Sequence, residues 1–197
     1  MKPVDVKFSC TCGQVQGVVH DVAPHKGNRV KCYCISCQTA ARVLGYEDTL
    51  DPYGGTEVFQ TVPSKVEFQT GIENLACLRL SPRGLLRWHS SCCNAPLFTM
   101  PDVLRIAVVG LFAARVSPEN QEHFGGKVKL FMTKTAVNPP PGFRDRGIFH
   151  AVVMVLWRAL KAAIRRDGRA PFFNADGTIS VTPRVLTLQE RKAATPD

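Results

Sequence analysis

With 197 residues, 45% hydrophobic and 21% charged, the chain can form one domain with a real core, and its composition excludes disordered and fibrous classes. Lys and Arg number 25 against 16 Asp and Glu, a formal charge of +9, but they form no long uninterrupted basic block. Nucleic acid is therefore disfavoured as a partner, and solvated helix faces are the plainer reading. The longest apolar run, 148–157, is about half a membrane span and contains His150, and residues 1–10 lack the apolar stretch of an export signal. The expectation is a cytoplasmic protein without a membrane span, its eight cysteines in a reducing compartment.

In chain order, Val4, Val6 and Phe8 alternate like a half-buried strand. Val15, Gly17, Val18 and Val19 form a second extended run after Cys10-Thr11-Cys12-Gly13, where Gly13 suits a tight knuckle turn. Residues 24–29 read as a loop that leads through Val30 into the loop Cys32-Tyr33-Cys34-Ile35-Ser36-Cys37. Extended runs follow at 57–61, 65–69, 77–80 and 85–89, with a Pro/Gly loop at 51–55. Strands this short and closely spaced predict a mainly β fold of antiparallel strands. A further strand is expected at 104–109, and a loop or short helix at 118–125. Asn138-Pro139-Pro140-Pro141-Gly142 reads as a linker, dividing a β domain over 1–137 from a helix and tail over 143–197. Helical spacing over 147–166 puts Phe149, Val153, Leu156, Leu160 and Ile164 on one face, with Gly168 as the stop. That face is expected to pack on the β domain; lying on a membrane or pairing with a second chain is the alternative. A turn at 174–177 and a β-like run at 178–182 complete the tail.

The cysteine spacing carries the chemistry. C-x-C-x-x-C at Cys32, Cys34 and Cys37 suits a disulfide poorly, because bridges between such near neighbours are strained. Three thiolates from one loop instead suit a tetrahedral zinc whose fourth corner stays open, as in catalytic centres. Cys10 and Cys12 form a second chelating pair, and Cys92-Cys93 lies downstream. The expected cofactor is Zn2+, one or two per chain, with Cys10, Cys12, Cys32, Cys34, Cys37, Cys92 and Cys93 as ligands. Cys77, among Leu75, Ala76 and Leu78, is expected in the core. His20, His25, His123 and His150 have no ligand spacing. Gln38 and Thr39 are candidates for hydrogen bonds to the sulfurs. The 51–55 loop is a candidate pocket border, His89 is either a ligand or a packed ring, and Arg87 either pairs with an acid or faces solvent.

These segments resemble the glutathione-dependent formaldehyde-activating enzyme family. The matching residues are Cys10-Thr11-Cys12-Gly13-Gln14-Val15, Cys32-Tyr33-Cys34-Ile35-Ser36-Cys37-Gln38, the run Gly55-Thr56-Glu57-Val58-Phe59-Gln60-Thr61-Val62-Pro63-Ser64, and Arg87-Trp88-His89-Ser90-Ser91-Cys92-Cys93-Asn94-Ala95-Pro96-Leu97. The resemblance covers roughly 4–115 and implies a β-tent fold with two zinc ions. It implies a catalytic zinc on Cys32, Cys34 and Cys37, and a structural zinc on Cys10, Cys12 and a later C-x-x-C. That later motif departs from the family's pattern, because Ser90 stands where its first cysteine belongs and Cys92 is extra. Three arrangements follow: Cys92 and Cys93 both ligate on a bent backbone, Cys93 ligates with His89 or water, or the second site is empty. The implied activity is that of a zinc-dependent carbon–sulfur lyase acting on glutathione-type thiol adducts of a small aldehyde. The alternative is a non-catalytic zinc module that contacts nucleic acid or protein.

Overall fold

A computed structural model describes residues 1–102, 106–165 and 169–196. The order is β1 (Val4–Ser9), β2 (Gln16–Val22), β3 (Asn28–Cys32), α1 (Ile35–Leu44), β4 (Thr56–Thr61), β5 (Val66–Thr70), β6 (Leu75–Arg79), β7 (Leu86–Ser90), β8 (Pro96–Met100), β9 (Val109–Phe112), the one-turn α2 (Pro118–Gln121), β10 (Lys129–Phe131), α3 (Ile148–Arg165), β11 (Arg184–Val185) and α4 (Leu188–Ala194). The fold is mainly β. An antiparallel three-stranded sheet, β1-β2-β5, faces an eight-stranded mixed sheet of order β10-β3-β4-β9-β8-β7-β6-β11, in which β10 on β3 and β11 on β6 are the parallel pairs.

Strand pairing sorts the large sheet into two faces, because alternate residues point to opposite sides. One transverse row runs Cys77–Trp88–Phe98–Leu111–Phe59 across β6, β7, β8, β9 and β4. These five side chains are buried in one core with Val6, Phe8, Val15 and Val19 of the small sheet side. Phe8 meets Phe98 edge-on at 4.9 Å between centroids, a favoured aromatic geometry. The neighbouring row, Leu78–Arg87–Thr99–Gly110–Gln60, lies on the other face, toward α1. There Ala40 and Leu44 of α1 pack with Leu78, Leu80 and Leu186.

The tail is part of the domain. Phe172 is fully buried, 5.2 Å from both Trp88 and Phe98, and β11 extends the sheet edge beside β6.

Several elements differ from expectation. β3 starts at Asn28, inside the supposed loop of 24–29, because it is paired on both sides, by β4 and β10. The strand expected at 104–109 has residues 104 and 105 outside the described set, residues 106–108 are irregular, and pairing begins at Val109. The helix stop at Gly168, and residue 166, also lie outside it. The run 178–182 makes only an isolated bridge, Phe173 to Ile179. The apolar face of α3 does not pack on the β domain: Phe149 is 84% and Ile164 73% exposed, and Val153, Leu156 and Leu160 are exposed too. The buried positions of α3 are Ala151 and Ala162, and Asn28 Nδ2 donates to the Ala151 carbonyl. α3 instead meets the domain beside β10 and the Asn28 side chain, through the side that carries its small residues.

Two measurements check this packing. Phe172→Ala should lower unfolding free energy by about 3–5 kcal/mol, the usual cost of emptying a fully buried aromatic site; a urea transition within about 1 kcal/mol of wild type would detach the tail from the core. His20 in β2 bridges Asp5 in β1 (2.9 Å) and Glu67 in β5 (2.8 Å). The hydrogen bonds to Asp5 and then Glu67 raise its pKa. Its stabilisation is therefore full below the unfolded histidine pKa of about 6.5 and is lost as pH rises through the higher folded value. All three side chains are solvent-accessible, so the effect is below about 1 kcal/mol. His20→Gln should lower Tm more at about pH 5.5 than at about pH 8.5; equal losses at both pH values would remove the bridge as the cause.

Candidate metal centres

Two groups of cysteine sulfurs converge, Cys10, Cys12, Cys92 and Cys93 in one and Cys32, Cys34 and Cys37 in the other, with the sulfurs of each group all within 4.8 Å of one another. All eight cysteines are free thiols.

The three-sulfur group sits where β3 runs into α1. Cys32 is the last residue of β3, Cys34 is the N-cap of α1, and Cys37 is in the first turn. The triple-cysteine segment is thus only briefly a loop, since Gly45 in a left-handed conformation ends a helix of ten residues. Cys34 and Cys37 sulfurs are 3.3 Å apart. Contact with the Cys32 and then the Cys37 sulfur holds the Cys34 thiol far below the ordinary range, helped by the Cys37 backbone N–H and the Arg87 charge and opposed by burial. A helix N-terminus favours a thiolate in the same sense. Cys37 moves the opposite way, well up, because Cys32 and Cys34 take its hydrogen bonds and charge.

The segment is held by its backbone. Gln38 donates its amide to the carbonyls of Tyr33 (2.8 Å) and Thr135 (2.9 Å), and the Thr135 hydroxyl donates to Tyr33 as well. Thr39 donates to the Ile35 carbonyl. Gln38 and Thr39 therefore position the chain, and their hydrogen bonds go to carbonyls rather than to sulfur. Among the described residues Arg87 pairs with no acid, and it does not face solvent. It is buried, and it donates to the carbonyls of Leu85 (3.3 Å) and Ser36 (3.1 Å), which ties β7 to the cysteine turn. In the 51–55 loop, Asp51 accepts from the Tyr33 hydroxyl and from the N–H groups of Tyr53 and Gly55. Thr49 and Thr56, just outside that loop, line a partly enclosed cavity of about 210 Å³ that reaches Cys32 and Cys37.

The four-sulfur group joins two turns. Cys10 follows β1, and Gly13, at φ +78°, donates its N–H to the Cys10 carbonyl, closing a knuckle in which the Val15 N–H points at the Cys10 sulfur (3.2 Å). On the other side, β7 ends at Ser90 and Asn94 takes φ +58°, the bend that lets both Cys92 and Cys93 turn inward. The Cys12 and Cys92 sulfurs are 3.3 Å apart, and Cys10 is 3.5 Å from Cys12 and 3.9 Å from Cys92. The sulfurs of both Cys92 and Cys93 lie in this group. Ser90 stands behind them: fully buried, it contacts the Cys93 sulfur at 3.2 Å and accepts from the Ala95 N–H. Burial works to raise the Cys93 thiol, but the Ser90 hydroxyl and the Cys12 and Ala95 N–H groups bring it down to about 5.

His89 lies outside both groups; its ring Nδ1 contacts the Ser90 carbonyl, and burial lowers its pKa. Cys77 is a core thiol, raised to about 12 by burial. The sequence reading missed Tyr46, just past α1, whose hydroxyl donates to the Cys93 carbonyl (3.0 Å) and meets Thr11 (2.8 Å), while Arg115 lies over its ring. One helix thus spans from one sulfur group to the other, and only the unremarkable spacing of Tyr46 from Cys37 hinted at it.

Among the described residues no helix is long and apolar enough to cross a membrane. The profile of a family of unknown function, DUF6151, matches residues 2–121. A structural-genomics crystal structure of a Rhodobacter sphaeroides protein is similar at 20% identity and a TM-score of 0.43, over 64% of this chain and 99% of that one. No curated protein matches.

Ser90→Ala removes the hydroxyl that contacts the Cys93 sulfur and caps the buried Ala95 N–H. The expected cost is about 1–3 kcal/mol in chemical denaturation; an unchanged midpoint would show that Ser90 is not supporting the turn.

Proposed function

The chain belongs to DUF6151, a family of unknown function, so its chemistry must come from its own residues, and we propose that it is a zinc-dependent enzyme that joins a thiol to a small aldehyde and cleaves the adduct. The observation that carries this reading is the contrast between the two sulfur groups: one offers four donors, the other three beside a cavity. A zinc–thiolate bond of about 2.3 Å in tetrahedral geometry places sulfurs about 3.8 Å apart. Four of the sulfur pairs lie 3.3–3.9 Å apart, close to that spacing. All-sulfur donors also favour zinc over the hard cations. Cys10, Cys12, Cys92 and Cys93 complete a shell and serve structure; Cys32, Cys34 and Cys37 leave one corner for chemistry.

What zinc supplies in a three-thiolate site is a position for a soft fourth ligand and a depressed pKa for a thiol placed there. The protein's part is to hold the three sulfurs at the start of α1 and to present the cavity beside them. In the forward direction the substrate sulfur attacks the aldehyde carbon and a C–S bond forms. The C=O π pair moves to oxygen, which ends with the proton that the thiol gave up. The reverse breaks the C–S bond and restores thiol and aldehyde. The resemblance to the glutathione-dependent formaldehyde-activating family supports this reaction type. The short second motif, altered at Ser90, does not weaken the reading, since Cys92 brings a fourth sulfur to that group.

Metal analysis of wild type, Cys34→Ser and Cys93→Ser tests it. Two zinc ions per chain are expected in wild type, with one lost in each variant. Loss of formaldehyde in the presence of glutathione or another thiol should be catalysed by wild type and abolished in Cys34→Ser. A folded wild-type protein without zinc would sink the metal reading. A zinc-loaded protein inert toward every thiol–aldehyde pair, with a salt-sensitive shift on DNA, would favour the non-catalytic module instead.

A further inference from the structure

The cavity against Cys32 and Cys37 has a shape and lining that restrict what can approach those sulfurs. It lies between α1 and the face of the large sheet turned away from the main core. Val30, Val58 and Phe112 come from the sheet, and Ala41 and Leu44 come from α1. Its volume is about 210 Å³. A dry apolar cavity of about 150 Å³ holds one benzene, so this one accommodates a ring or branched chain with a few further atoms. It is too small for a whole glutathione, and a tripeptide with two carboxylates and an ammonium would lose hydration against walls that are mostly apolar, with Thr49, Thr56, Gln60 and Thr99 as the neutral polar groups.

One charged group reaches this lining. Arg87 is 5% exposed, and among the described residues no carboxylate pairs with it. Its two hydrogen bonds, to the Leu85 and Ser36 carbonyls, occupy only part of a five-donor guanidinium. The Arg87 charge already faces the Cys34 thiolate, and its remaining donors on the wall of this mostly apolar cavity can receive an electronegative atom of the occupant. The same guanidinium is bonded to the cysteine turn through Ser36, so an oxygen held by it is also held near the three sulfurs.

We propose that this cavity is the seat of the aldehyde partner, and that the aldehyde is a small hydrophobic one, aromatic or branched aliphatic, with its carbonyl oxygen directed to Arg87 and its hydrocarbon part between α1 and the sheet. The inference rests on the thiol–aldehyde reading of the Cys32, Cys34 and Cys37 site. With the cavity of about 210 Å³ filled by the aldehyde, the thiol would approach the sulfur group from outside it. Arg87 is a binding group for the oxygen on which negative charge develops as the C–S bond forms.

The test uses the purified full chain with its metal content measured in each sample. The binding probes are acetophenone, which carries the carbonyl and does not react readily, and ethylbenzene, which lacks it. Ligand-observed NMR titration should show both binding wild type, with acetophenone tighter by about ten-fold or more, the gain from a hydrogen bond to a charged group. Arg87→Met should remove that preference while ethylbenzene binding persists. Ala41→Phe fills the cavity from α1, and Val58→Phe fills it from the sheet should the first variant fail to fold. Either should abolish binding of both probes with metal content unchanged. In turnover with a thiol, benzaldehyde should be preferred over formaldehyde, and the filling variants should reverse the order. Probe binding that survives in a folded filling variant, or an absent carbonyl preference in wild type, would overturn the proposal. If the probes behave as expected but the protein holds no metal, the cavity assignment stands and the reaction falls. If metal and formaldehyde turnover are present but no probe binds, the reaction stands and this assignment falls.

Discussion

The constraint on which the structure depends is the gathering of seven sulfurs into two groups by segments far apart in the chain. Cys10 and Cys92 are 82 residues apart in sequence, yet their sulfurs lie 3.9 Å apart. Neighbouring thiolates repel, and buried ones lose hydration, so such a group is stable only if thiols share protons or a cation neutralises them. Contacts among the three sulfurs displace Cys34 downward and Cys37 upward. The surrounding fold holds this arrangement: Gly13 and Asn94 take left-handed turns at the four-sulfur group, and a helix N-terminus meets the three-sulfur group.

α1 couples the two groups mechanically. Its first turn carries Cys37, Arg87 is bonded to its Ser36 carbonyl, and Tyr46 beyond its end is bonded to Cys93. Its inner side meets the second face of the large sheet. Because strand residues alternate, the residues on that face are not those of the main aromatic core. The main face is filled by Trp88, Phe98 and Phe59, while the α1 face carries Arg87, Thr99, Gln60 and Gly110 and is less completely filled. The cavity beside the sulfurs is a consequence of that division.

Much of the candidate site was legible from residue spacing, because chelating pairs must be local: C-x-C and C-x-x-C bring sulfurs together whatever the rest of the chain does. The β class was legible for a similar reason, since alternation at Val4, Val6 and Phe8 and regular turn residues are local signals. Misses occurred where tertiary contacts override local signals. α1 was hidden because Ile35 to Leu44 is short and its start is occupied by cysteines that read as a loop. β3 was missed because pairing on two sides, not composition, makes Asn28 and Arg29 extended. The fate of the α3 face could not be read from α3, since it depends on which side of the helix the rest of the fold meets.

Sequence alone therefore determined the mainly β class, the cysteines able to chelate in pairs, and the core position of Cys77, all of which rest on interactions between near neighbours. Only the tertiary structure decided that Cys92 joins Cys93, that Ser90 supports rather than breaks that turn, that Arg87 is a buried cation on a cavity wall, and that the α3 stripe faces outward. Each of those depends on which distant segment arrives at the same place, and that is settled by the packing of two sheets and one helix rather than by any residue's neighbours in the chain.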